Sequence, residues 1–119
     1  MTAGVTTAGM QTVIYPVTDL ASARELYSAL LGAAPIMDEP YYVGFRVAGH
    51  DVGLDPNGHK RGMTGPVGYW HVQSMEQTVA ELTARGATLQ GSVTDVGGGK
   101  LIATLADRDG NTFGVLQQP

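Results

Sequence analysis

VIYPVTDLASARELYSALLG, residues 13–32, joins two different periodicities in one short run. Val13, Tyr15 and Val17 alternate with Thr12, Ile14 and Pro16, the period-2 pattern of a strand that lays one face against a helix. Pro16 has no N–H and so belongs at a strand edge or end. From Asp19, a carboxylate suited to cap a helix N-terminus, the apolar residues change to helical spacing at Leu20, Ala23, Leu26, Tyr27 and Leu30. Gly32 ends the run, because glycine takes the left-handed conformation that closes a helix without steric cost. One amphipathic helix follows one strand.

The same order recurs further along. After a turn at residues 35–40 come two strand-like runs, 41–47 and 51–54, separated by Ala48, Gly49 and His50, before Asp55-Pro56-Asn57-Gly58 breaks the chain. Residues 67–72 then read as a strand and Ser74-Met75-Glu76-Gln77 as a capping box. Met75, Val79 and Leu82 continue one helical face to Gly86, and short strands are expected at 88–93, 101–105 and 112–116. The economical reading is an α+β fold of two β-α-β-β-β modules. They occupy residues 10–57 and 66–118 of a single domain at 10–119, joined by a linker at 58–65. The small residues Gly4, Thr6, Thr7 and Gly9 mark residues 1–9 as a flexible N-terminus.

Composition narrows the function classes. Seven Lys and Arg stand against eleven Asp and Glu, a formal charge of −4, with no basic cluster to neutralise a run of phosphates, so nucleic acid is not an expected partner. The chain has no cysteine, which removes disulfides, thiolate nucleophiles and zinc–cysteine sites. No apolar run reaches the roughly 18 residues of a membrane span, and the first ten residues lack a signal peptide's basic and apolar regions. The expectation is a cytoplasmic protein without a membrane partner.

Three segments carry a resemblance: residues 13–32, GYWHVQSMEQTVAELTARGAT at 68–88, and DRDGNTFGVLQQ at 107–118. They are similar to the first strand and helix, the second helix ending in Gly-Ala, and the terminal Asp-Pro-x-Gly-Asn turn of the vicinal oxygen chelate superfamily, with Arg108 here at the Pro position. This is the group of glyoxalase I, bleomycin-resistance proteins and extradiol dioxygenases. The resemblance spans nearly the whole chain and is specific for fold rather than reaction, since many chemistries share the scaffold. It implies a curved, cup-shaped mixed sheet with helices on the outer face, and a homodimer, which would also cover unpaired strand edges.

In enzymes of that superfamily four strand positions supply His and Glu ligands to a divalent metal. Counted from neighbouring motif residues, those positions fall here at Thr12, Gly53, Val67 and Gly114. None is an imidazole or a carboxylate, so no cofactor is expected at the usual site, a divalent metal elsewhere being left open. The candidate ligand-binding residues are Thr12, Tyr42, Arg46, Asp51, Asp55, His59, Tyr69 and His71. Asp51 and Asp55 are either strand-end charges paired with Arg46 or an acidic floor for a cationic or hydroxyl-rich ligand. By alternation Trp70 should lie beneath the second helix and Tyr69 on the opposite face, beside His71, a candidate general base. Gly97-Gly98-Gly99-Lys100 precedes a strand-like run and so does not read as a phosphate loop; Asp107, Asp109 and Asn111 read as a hairpin turn rather than a calcium loop. No serine stands in a strand-turn-helix elbow. The expected function is metal-free binding of a small aromatic or cationic molecule, as in drug sequestration. The alternative is an enzyme with a rearranged metal site at Asp51, Asp55, His59 or His71, or acid–base catalysis through His71.

Overall fold

The computed structural model describes residues 5–119. Among them are β1 (Thr7–Pro16), α1 (Leu20–Leu31), β2 (Met37–Glu39), β3 (Tyr42–Val47), β4 (His50–Asp55), β5 (Val67–Val72), α2 (Met75–Ala84), β6 (Thr88–Asp95), β7 (Leu101–Ala106) and β8 (Thr112–Gln117). The α+β class and the repeated β-α-β-β-β order are therefore as expected. The described residues divide into two compact units, Gln11–Gly68 and Tyr69–Pro119, the latter taking in residues 5–10.

In the unit of residues 11–68 the strands run in the order β2-β3-β4-β1. β1 lies parallel to β4 with Thr12 opposite Asp51 and Ile14 opposite Gly53, while β3 and β4 form an antiparallel hairpin. Val43, Phe45 and Leu54 are buried on one face, packed by Tyr15, Val17, Val52 and, from α1, Leu20, Ala23, Tyr27 and Leu31. Asp19 caps α1 by accepting from the Ser22 N–H at 3.0 Å, and Gly32 closes it in the left-handed region at φ 64°. The helical face differs from expectation at two places: Leu26 and Leu30 are 64% and 71% exposed. The half-buried stripe that packs on the core runs from Ala23 through Tyr27 to Leu31 in steps of four, which turns Leu26 and Leu30 outward. β2 was not expected; it pairs with β3 through Met37–Gly44 and Glu39–Tyr42 inside the supposed turn.

In the other unit the order is β5-β8-β7-β6, again with the first strand parallel to the last. Val72, Met75, Ala103, Leu105 and Val115 form the core, with Val79 and Leu82 of α2 and Leu89, Leu101 and Phe113 of the sheet around it. Trp70 shares the α2 side of β5 with Val72 by alternation, but it is 43% exposed and not beneath the helix. α2 packs on Val72 and the β7–β8 residues and leaves the indole uncovered. β6 shifts register between Gln90 and Thr94, where Gly91 takes φ 72°.

The expected flexible N-terminus at residues 1–9 is corrected at its end. Thr7–Gly9 belong to β1, the Gln73 N–H donates to the Thr6 carbonyl at 3.2 Å, and the Thr7 hydroxyl donates to the His71 carbonyl at 2.7 Å. These bonds satisfy backbone groups that would otherwise require water. Residues 1–4 of that expectation lie outside the described residues. In the expected linker, His59–Arg61 form one turn of 3-10 helix.

Candidate functional site

Strand alternation sorts the first unit's side chains into a face that carries α1 and a face that does not. The register places Thr12 of β1, Asp51, Gly53 and Asp55 of β4, and Arg46, Gly44 and Tyr42 of β3 together on the helix-free face. Thr12 is buried, as is Asp55. The Arg46 guanidinium donates to Asp51 Oδ1 at 2.6 Å, across the directly opposed pair of β3 and β4. Asp55 accepts from the Asn57 N–H at 2.8 Å and is ion-paired with Arg61. Its carboxylate is thus charge-balanced by a guanidinium.

Of the two readings the sequence allowed, pairing with Arg46 holds for Asp51, while Asp55 pairs with Arg61. Arg61 lies six residues beyond Asp55, at the end of the 3-10 turn that folds the chain back on it. The Asp55-Pro56-Asn57-Gly58 signal was present, but not the direction of the chain leaving it. His59, in that turn, is exposed and its N–H-bearing ring is not on a strand. His50, at the β3–β4 hairpin, has its Nδ1 3.1 Å from the Ala48 carbonyl.

Tyr42 is half-buried and reaches diagonally from β3 over β4. A methyl group placed on Gly53 would stand 2.5 Å from Tyr42 Cζ and closer still to its hydroxyl oxygen; one on Gly44 would meet Cε2 at 3.3 Å. Both glycines therefore lie beneath one aromatic ring.

In the second unit Tyr69 of β5 stands directly opposite Gly114 of β8, and His71 opposite Leu116, on the face away from α2. Tyr69 is only 4% exposed. A methyl group on Gly114 would lie 2.5 Å from Tyr69 Cε2 and 2.7 Å from Cγ, so the side of the ring fills the space above the glycine. His71 is half-buried and lines an open groove of about 570 Å³ with Thr7, Ala8, Gln73 and Gln118.

The four positions at which the resemblance places metal ligands do not fit a divalent cation. Thr12 offers a hydroxyl, Val67 no donor, and Gly53 and Gly114 no side chain in spaces already taken by tyrosine rings. Among the described residues no three His, Cys, Asp or Glu side chains are grouped to hold an ion.

Each half of the chain is a four-stranded mixed sheet bearing one helix, its first strand parallel to its last. That arrangement defines the class of paired β-α-β-β-β proteins. The sequence profile of the Glyoxalase/Bleomycin resistance protein/Dioxygenase superfamily matches residues 9–115, and the chain belongs to that superfamily. Methylmalonyl-CoA epimerase from Mycobacterium tuberculosis is similar at 17% identity and a TM-score of 0.73, covering 100% of this chain and 93% of that one. A superfamily member from Vibrio splendidus 12B01 is similar at 18% identity and a TM-score of 0.65, covering 97% of this chain and 100% of that one. The Mn(II)-bound glyoxalase from Novosphingobium aromaticivorans is similar at 19% identity and a TM-score of 0.69, over 96% of this chain but 40% of that one. At these identities the likeness is one of fold. No curated protein matches the chain.

Proposed function

We propose that the protein binds a small aromatic or cationic molecule without the superfamily's metal, in the manner of its drug-sequestering members. The observation that carries this reading is the helix-free face of residues 11–68. There Thr12, Tyr42, Arg46, Asp51 and Asp55 surround Gly53, with polar anchors and an aromatic ring but no metal-donor set. Because Asp51 and Asp55 each have an arginine partner, the charge on this face is balanced. An aromatic ligand with polar substituents is favoured over a bare cation. Within the unit of residues 69–119, Tyr69 and His71 are the candidate contacts of a face of their own, and His59, exposed in its turn, is the most peripheral candidate.

A thermal-shift screen of aromatic acids and cationic antibiotics tests the proposal, run before and after treatment with a chelator. The expected result is stabilisation that survives chelation and is lost in Tyr42→Ala. Stabilisation that requires a stoichiometric metal would overturn it. A homodimer in the cytoplasm is part of the same proposal, and light scattering that finds only monomer would remove the dimer.

The groove beside His71 favours a second reading, acid–base catalysis at a C–H next to a carbonyl. Solvent deuterium incorporation into a carbonyl substrate, abolished by His71→Gln, would favour it over simple binding.

A further inference from the structure

We infer that Tyr42 and Tyr69 are plugs: each is interlocked with a glycine, Gly53 or Gly114, and together the two couples exclude any metal-ligating side chain from those positions. The inference deepens the metal-free reading and rests on it for its functional meaning. Its physical basis is separate.

Neither Gly53 nor Gly114 has positive φ. The backbone at both would accept any L-residue, so conformational freedom does not explain the glycines. Space does. A methyl group on either meets a tyrosine ring at 2.5 Å or less, well inside carbon–carbon contact distance. Conversely, a glycine within a strand leaves a hole in the sheet surface, and a neighbouring ring laid over it restores the lost packing. Ring and glycine each supply what the other lacks.

The two couples are not copies inherited through the internal repeat. Tyr69 comes from the first strand of its module and faces Gly114 directly, whereas the residue directly facing Gly53 from the first module's first strand is Ile14. There the ring arrives from β3 instead, with its hydroxyl end foremost. The same kind of vacancy is filled twice by different means. The couples also differ in stiffness: Tyr69 is almost fully buried, and Tyr42 is half-buried with its flexible end at the contact.

A double-mutant cycle tests the interlock, measured as thermal midpoints of Gly114→Ala, Tyr69→Val and the double variant. In a strand, alanine is ordinarily more stable than glycine. With Tyr69 in place, Gly114→Ala should instead lower Tm by about 4 °C or more. In the Tyr69→Val background the same change should leave Tm unchanged or raise it. Tyr69→Thr serves as the background if the valine variant does not fold. Gly53→Ala should lower Tm by less than Gly114→Ala, since it meets the far end of a half-buried side chain and not the side of a buried ring. Gly114→Ala as stable as wild type, or an equal loss in both backgrounds, would overturn the interlock. Calorimetric titration of the wild type with Ni²⁺ is the second arm: a tight site of one ion per chain that Gly53→Ala or Gly114→Ala alters would overturn the exclusion. The cycle reads only folding, so a failed ligand screen would sink the binding proposal and leave the interlock standing.

Discussion

Ala48 has φ 50° in the two-residue connection between β3 and β4, beside Gly49 at φ 80°. Positive φ at both central residues is the backbone of a type I′ hairpin, whose preferred sequence is Asn-Gly. Alanine at the first position carries the steric cost of a left-handed Cβ. Ala48→Asn should therefore stabilise the protein by about 0.5–1 kcal/mol, seen as a higher urea midpoint with unchanged slope. Single residues were unevenly legible in the sequence. Asp19 and Gly32 announced their caps because capping depends on residues only a few positions away. Asp55 announced a turn but not its partner Arg61, and Gly53 and Gly114 announced missing ligands but not the rings above them. The rings depend on which side chain a neighbouring strand delivers, and Arg61 on the path of the 3-10 turn after Asp55.

At the scale of elements, α2 is fastened at its start by two devices. The Ser74 hydroxyl accepts from the Gln77 N–H at 3.2 Å, and the Gln117 side-chain oxygen, arriving from β8, accepts from the Met75 N–H at 2.6 Å. Ser74→Ala should cost about 1 kcal/mol, the usual value of an N-cap. Gln117→Leu should cost about 1–2 kcal/mol by leaving a part-buried helix N–H without its acceptor. Urea denaturation would check both, and no loss for Gln117→Leu would mean that water replaces the glutamine. The first device was legible as a capping box and the second was not, because residues 75 and 117 meet only once β8 is laid beside β5. A similar limit explains α1. Leu26 and Leu30 fit a helical apolar stripe, but the rotation of the helix on β3 and β4 brings Tyr27 and Leu31 into the core instead. Tyr27 is held there by its ring contact with Tyr15, centroids 4.9 Å apart.

Over the whole molecule, the acid limb of stability should carry the imprint of two exposed carboxylates. Ser22 backbone and side-chain hydrogen bonds hold Asp19 below the ordinary value of 3.8. The Asn111 side chain, followed by its backbone N–H, does the same for Asp107 in the β7–β8 turn. A carboxylate whose pKa is lower in the folded than in the unfolded chain adds stability above the unfolded value and loses it as pH falls through the folded value. Stability should accordingly be level near neutrality and decline below about pH 4, with a shallower decline in Asp107→Asn, measured by urea denaturation across that range. Sequence alone determined the α+β class, the repeated module, the superfamily, the helix caps and the absence of His or carboxylate at the four expected ligand positions. All of these rest on local periodicity, capping chemistry and residue identity. Only the tertiary structure decided that Arg61 balances Asp55, that Gln117 caps α2, that Trp70 stays exposed, and that tyrosines from β3 and β5 fill the space above Gly53 and Gly114. Contacts between strands distant in sequence are set by register and packing, and the Asp55–Arg61 pair by the path of the turn between them, for which the local pattern holds no record.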